Sequence, residues 1–170
     1  MPQRTNSQSC VITDANILIN FIKIDRLDIL QQLQMYAFYI PEEVYEEIIE
    51  PEQHLVLDQA LAQGWLRKTV ITDLNELLFY SQYRRQMGAG EAACLSIATC
   101  RQWIMACDER RLIPKEVQRK LGKGYLLNTP DILVKAIHEG ILTVSQADAI
   151  KCSLAQNRFV MSFASFQDLI

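Results

Sequence analysis

The sequence predicts an α/β domain built on a parallel sheet with helices over both faces. Three observations lead there. Short β-branched or apolar runs alternate with longer runs of helical periodicity from the beginning of the chain. One short run, Trp103-Ile104-Met105-Ala106-Cys107, is apolar without interruption, as a strand buried on both faces requires. No internal repeat and no linker rich in Pro, Gly or Ser divides the 170 residues, so the alternation belongs to one domain.

The elements follow in order. Cys10-Val11-Ile12-Thr13 is a β-branched run that ends at Asp14. From Asn16 to Leu33 apolar residues recur at Ile17, Leu18, Phe21, Ile22, Ile24, Leu27, Leu30 and Leu33, close to helical spacing, with Asp25-Arg26 as the point for a tight bend. Met35 to Ile40 is apolar and aromatic, too short for a helix and closed by Pro41: a strand. Pro41 with Glu42 and Glu43 suits a helix start, because Pro lacks a donor the first turn would leave free and acids complement the dipole. That helix is expected to run to Glu50 and stop at Pro51. A helix over Gln53 to Gln63 ends at Gly64, and Leu66 to Ile71 reads as a short strand. Asp73 to Gln86 is helical until Gly88-Ala89-Gly90, and Glu91 to Gln102 is a helix of small residues suited to close packing. After the buried strand at 103–107 come Asp108, a basic helix to Leu121, a Gly122-Lys123-Gly124 turn and a strand at Tyr125 to Leu127. Asn128 to Glu139 and Ser145 to Asn157 are two more helices, and the apolar stretch Phe159 to Ile170 should pack rather than hang free.

Composition narrows the function. Apolar residues are 49% and charged residues 22%, with six glycines and five prolines, which excludes disordered and collagen-like classes. At this length folding hides roughly 70% of the chain's surface, so the core needs no staples. Five cysteines (Cys10, Cys94, Cys100, Cys107, Cys152) form no C-x-x-C pair, and we read them as reduced, mostly buried small hydrophobes of a cytoplasmic protein. No apolar run reaches the ~18–20 residues of a membrane span, and the polar start, Met1 to Ser9, lacks the apolar stretch of a secretory signal. With a net charge of −3 the chain does not grip nucleic acid through overall positive charge. A polyanion would have to be met by a local patch or by bound cations.

Candidate chemistry sits at the strand ends, because open parallel sheets bind ligands beyond their carboxyl edge. Asp14 and Asp108 each end a predicted strand, where capping of the next helix is the plainer alternative. Glu47 lies at the edge of the helix face marked by Val44 and Ile48, and Glu91 opens its helix between small neighbours. Four carboxylates at one point would not all stay ionised without a cation. Oxygen ligands without His or Cys choose Mg²⁺ or Mn²⁺ over zinc, and such a cluster serves to polarise a phosphoryl group and activate water. Between Glu109 and Lys123 six cations (Arg110, Arg111, Lys115, Arg119, Lys120, Lys123) face two acids, and Arg84-Arg85 add a second basic spot. Pro41 to Asp58, by contrast, carries seven acids and no Lys or Arg. His54 and His138 form no ligand set with each other, and Gly122-Lys123-Gly124 lacks the spacing of a P-loop.

In sequence order, Asp14 followed by Ala15-Asn16-Ile17-Leu18, then Pro41-Glu42-Glu43-Val44-Tyr45-Glu46-Glu47, Gly90-Glu91-Ala92-Ala93 and Ala106-Cys107-Asp108-Glu109-Arg110-Arg111 resemble the PIN domain. The branch they look closest to is that of the VapC-like ribonucleases, many of them toxins of toxin–antitoxin pairs. The resemblance spans roughly residues 11–127. It implies a three-layer α/β/α sandwich with a parallel sheet of about five strands, and Mg²⁺-dependent endoribonuclease activity. It further implies metal-binding acids at Asp14, Glu47, Glu91 and Asp108, with Asn16 as the supporting polar residue. Glu46 is the rival of Glu47 by one register step, and Glu109 is an extra acid beside Asp108. Arg110 and Arg111, with Arg84 and Arg85, are the candidates for the RNA backbone, and an antitoxin protein and a second copy of the chain are the candidate partners. The chain divides into a polar segment 1–9, a catalytic domain 10–127 and a helical extension 128–170 packed on the same domain, longer than the compact toxins. The alternative is a PIN-like interaction module without nuclease activity.

Overall fold

Val11 and Ile12 are wholly buried, and the strand they form, β1 (Ser9–Thr13), lies at the centre of the sheet. The computed structural model describes residues 7–170; of the polar segment 1–9, residues 1–6 lie outside it. The other strands are β2 (Tyr36–Pro41), β3 (Arg67–Thr69), β4 (Ile104–Ala106) and β5 (Leu126–Leu127). All pair in parallel, in the order β3-β2-β1-β4-β5, with Val11 opposite Phe38 on one side and opposite Ile104 on the other. Parallel neighbours demand crossovers, and the helices that supply them cover the sheet. These are α1 (Ala15–Lys23), α2 (Asp28–Gln32), α3 (Glu42–Glu47), α4 (Pro51–Ala62), α5 (Leu74–Tyr83), α6 (Ala89–Arg101), α7 (Leu112–Lys120), α8 (Thr129–His138) and α9 (Val144–Gln156). The expected α/β fold with a five-stranded parallel sheet is the fold observed.

The tight bend expected at Asp25-Arg26 is present, and two other boundaries differ from expectation, each for a local reason. At the bend Asp25 turns into the left-handed region at φ 53° and the Arg26 N–H closes back on the Phe21 carbonyl, so residues 16–33 form two helices. Helix α3 ends at Glu47 rather than Glu50, and Pro51 starts α4 instead of stopping α3. Between them the His54 Nδ1–H donates to the Ile48 carbonyl at 2.8 Å, which takes up an acceptor the helix end leaves over. Strand β3 is only three residues long, since the Thr69 hydroxyl and the Val70 carbonyl are drawn off the sheet edge by Arg101.

Helix α6 is the tightest-packed element: seven consecutive residues, Ala92 to Ala98, are buried. Small side chains let it lie close on the sheet, and the Cys94 thiol reaches the Thr13 carbonyl at the end of β1. Ile132, Leu133 and Ala136 of α8, Ala147, Ile150 and Leu154 of α9, and Phe166 in a final 3₁₀ turn (Phe166–Leu169) join the same apolar core. The five cysteines are unpaired, with Cys94 and Cys107 buried; Cys152 is exposed, contrary to the mostly buried set expected. No helix among the described residues is long and apolar enough to cross a membrane.

Candidate active site

The crossover from β1 runs to β2 on one side, while β4 continues to β5 on the other, so the strand order reverses between β1 and β4. Such a switch point opens a crevice at the carboxyl ends of the two strands. Asp14 and Asp108 flank it. The Asp14 N–H donates to the Ala106 carbonyl at 3.0 Å, which fixes its backbone to β4. Its side chain is not the cap of α1, since no side-chain cap bond forms there. It is instead 2% exposed, and its side-chain neighbour is the Cys107 thiol, 3.8 Å from Oδ2. Burial lifts its pKa to about 6; the Ala15 N–H pulls back, and the charges of Glu91 and Glu47 push it further up.

The two glutamates come from facing helices. Glu47, at the end of α3, accepts the Gly90 N–H at 2.7 Å. Its carboxylate lies so close over Gly90 that a Cβ there would collide with it, so glycine at this position is a requirement of the contact. Glu91, in the first turn of α6, turns back to the Gly88 N–H at 3.4 Å. Both carboxylates therefore sit at the positive end of α6. Glu46, exposed like Glu47, lines a separate surface cavity with Ile48, Ile49 and His54. Glu43, one turn before Glu47, keeps Oε2 buried without a hydrogen-bond partner among the described residues.

Asp108 is held differently. Its Oδ1 accepts the Thr129 N–H at 2.8 Å, and its Oδ2 accepts the Thr129 hydroxyl at 2.7 Å and the Asn20 amide at 3.0 Å. Burial raises its pKa while Thr129, Asn20 and the Arg110 charge hold the rise down. A cavity of about 310 Å³ opens beside it, lined by Cys107, Glu109, Arg110, Pro114, Asn128 and other residues. The Glu109 carboxylate accepts the N–H groups of Arg111, Leu112 and Ile113 at the start of α7. Its burial raises its pKa, and those N–H groups together outweigh that and lower it. Arg110 and Arg111 are exposed; so are Arg84 and Arg85 at the end of α5.

Asn16 is exposed and makes no hydrogen bond among the described residues; Asn20, one turn further along α1, is the amide that reaches the site. Sequence reasoning passed over Asn20, Thr129, Gly90, Cys107 and Glu43 as members of this neighbourhood. Signals existed for two of them. Thr129 opens the helix two residues past the end of β5, near a strand end as Asp14 is, and Glu43 stands four residues before Glu47 on one helix face.

No Lys or Arg pairs with Asp14, Glu47 or Glu91 among the described residues, so Asp14 is a buried carboxylate with two like charges acting on it and no cation against it. An oxygen-only donor set of this kind fits a hard divalent cation. The side chains do not converge as a ready cage, however: among the described residues no three His, Cys, Asp or Glu groups stand at metal-binding spacing. Glu47 is drawn to Gly90, Glu91 to Gly88 and Asp108 to Thr129, and sharing one ion requires rotation about the two glutamate side chains.

A family model described as a PIN domain matches residues 10–167, nearly the whole chain. No curated protein and no solved structure gives a significant match.

Proposed function

The chain belongs to the PIN-domain family, whose members are in general nucleases, and on that premise we propose that it is a Mg²⁺- or Mn²⁺-dependent endoribonuclease. Its place would be with the VapC-like branch, as the toxin of a toxin–antitoxin pair acting in the cytoplasm. The observation that carries the reading is Asp14: 2% exposed at the switch point, its pKa raised by burial and further by the charges of Glu91 and Glu47, and without a cationic side chain among the described residues. A fold tolerates a buried, uncompensated carboxylate where function needs it.

Asp14, Glu47, Glu91 and Asp108 are the residues that would hold the ion. When bound, a divalent cation supplies charge neutralisation at a phosphodiester and an activated water. The chain's own residues do the rest. Thr129 and Asn20 orient the Asp108 carboxylate through three hydrogen bonds, leaving its remaining lone pairs directed by those donors. The Cys107 thiol lies against Asp14, and the buried Cys94 thiol bonds the neighbouring Thr13 carbonyl, a low-dielectric setting that strengthens any charge interaction there. Arg110 and Arg111, exposed beside the cavity next to Asp108, are placed to meet backbone phosphates of RNA.

The test is Asp14→Asn assayed on RNA with Mg²⁺. Activity should fall more than about 100-fold, beyond what outer-shell partners of metal ligands cost, while the circular dichroism of the fold is unchanged. Undiminished Mg²⁺-dependent cleavage by the folded variant would overturn the assignment. The separation of the acids by internal donors favours a second reading, an interaction module without nuclease activity. Calorimetric titration with Mn²⁺ divides the two: the nuclease shows heat that Asp14→Asn removes, and the module shows none. For the toxin role, the neighbouring reading frame should encode a small DNA-binding protein.

A further inference from the structure

We propose that the cavity between α8 and the start of the sheet's strands is a nucleotide subsite, holding single-stranded RNA next to the phosphodiester at the acids; the inference rests on the nuclease reading above. Two cavities share Leu126, in the edge strand β5, as a wall. One, of about 310 Å³, is the cavity beside Asp108. The other, of about 340 Å³, lies between Tyr36, Ile104 and Gly124 on one side and Val134, Lys135 and His138 of α8 on the other. That volume falls in the range of small-ligand sites. Pro130 lines the first cavity and Asp131 the second, so the two meet at the first turn of α8. A strand seated beside Asp108 therefore continues along α8, a helix about 15 Å long, into the second cavity.

Lys135 decides what the cavity takes. Acids stand one helical turn to either side of it, Asp131 and Glu139, yet among the described residues it forms an ion pair with neither. Asp131 is engaged elsewhere, accepting the Asn128 N–H at 3.0 Å. The half-buried Lys135 ammonium lies instead over the Tyr36 ring, 5.7 Å from its centroid. Basic residues near a helix C-terminus complement the dipole, which accounts for Lys135 and His138 being there. It does not account for an ammonium that leaves two neighbouring acids for an aromatic wall. Lys135 and His138 thus bring two nitrogen donors to one cavity, while Ile104, Leu126 and Val134 give it an apolar side. A nucleotide suits both, its phosphate meeting the cations and its base the apolar side. A base can be splayed into such a pocket only from an unpaired strand, which makes the substrate single-stranded.

The test reads binding apart from cleavage. A single-stranded RNA of about eight nucleotides is titrated in EDTA into the isotope-labelled full chain. The amide signals of Gly124, Val134 and His138 should shift together with that of Asn128 at the first cavity. Lys135→Gln should weaken the RNA about tenfold, as the loss of a hydrogen bond to a charged group does, and leave the Mn²⁺ heat unchanged. With Mg²⁺ the same variant should raise KM and keep kcat. His138 is exposed, so His138→Ala spares the fold and should weaken binding in the same direction. An RNA that is cleaved but leaves positions 124, 134 and 138 unshifted overturns the subsite and leaves the nuclease standing. Shifts there from an RNA that is never cut support the subsite and overturn the nuclease reading instead. Free AMP or UMP binding as tightly as the strand would make this a mononucleotide site and overturn its link to the cleaved RNA; equal shifts from a duplex would overturn the single-strand requirement.

Discussion

Two carboxylates are buried in this protein almost equally and have opposite fates. Glu76 is 1% exposed and Asp14 2% exposed. Glu76 accepts two hydrogen bonds from Arg101 and one each from the N–H and hydroxyl of Thr72, so its pKa falls, chiefly through the Arg101 bond. Asp14 faces a thiol and two glutamate charges, and its pKa rises to about 6. One helix serves both: Arg101 is the last residue of α6, and Glu91 stands in its first turn. Where burial comes with a partner it holds the fold together; where it comes without one, the site is maintained at the expense of the fold.

The comparison can be broken most severely at its compensated end. Arg101→Ala turns Glu76 into a second Asp14, a buried charge without a partner. We expect a loss of about 3–5 kcal/mol in urea unfolding, with the link from β3 to α5 loosened because Thr69 and Val70 lose their donor as well. The reverse change sharpens it. Asp14→Asn should stabilise the protein in EDTA at pH 7 by on the order of 3 kcal/mol, from a carboxyl raised from 3.8 to about 6. The sign follows from linkage. An acid with a raised folded pKa contributes stability that is fully present below the unfolded value and lost as pH rises through about 6. The gain from Asp14→Asn should therefore shrink to nothing near pH 4. Glu76, with a lowered pKa, should show the opposite slope, its contribution present above the unfolded value and lost as pH falls through the folded one.

Smaller effects test the site's scaffolding. Thr129→Val removes the hydroxyl from Asp108 but keeps the backbone donor, and should cost about 1–2 kcal/mol while raising the Asp108 pKa further, as carboxyl carbon NMR would read. Gly90→Ala should change stability by less than about 1 kcal/mol, since helix propensity improves by about that much as the Glu47 carboxylate is displaced. Mn²⁺ affinity measured by calorimetry is the sensitive readout there, and a tenfold loss is expected.

The sequence was legible where local chemistry repeats. Alternating runs marked every strand of the sheet, and the strand-end rule picked out Asp14 and Asp108 before any contact was known. Helix ends were less legible: Pro51 reads equally as a stop and as a first residue, and only the His54–Ile48 bond decides for a start. Long-range polar pairs carried no signal at all. Nothing periodic links Glu76 to Arg101 or Asp108 to Asn20, because their spacing along the chain is set by crossovers and not by helical or strand repeat. Glu109 was misplaced for a related reason: next to Asp108 it looks like a site acid, but three backbone N–H groups at the start of α7 claim it.

The outermost strands of the sheet, β3 and β5, are three and two residues long. Such stubs leave little open ladder for a foreign strand to extend. Contacts with other molecules are thereby steered to side-chain surfaces, where they can be made, screened by salt and reversed, so that crowding at high concentration should yield discrete, dissociable complexes and not fibrils.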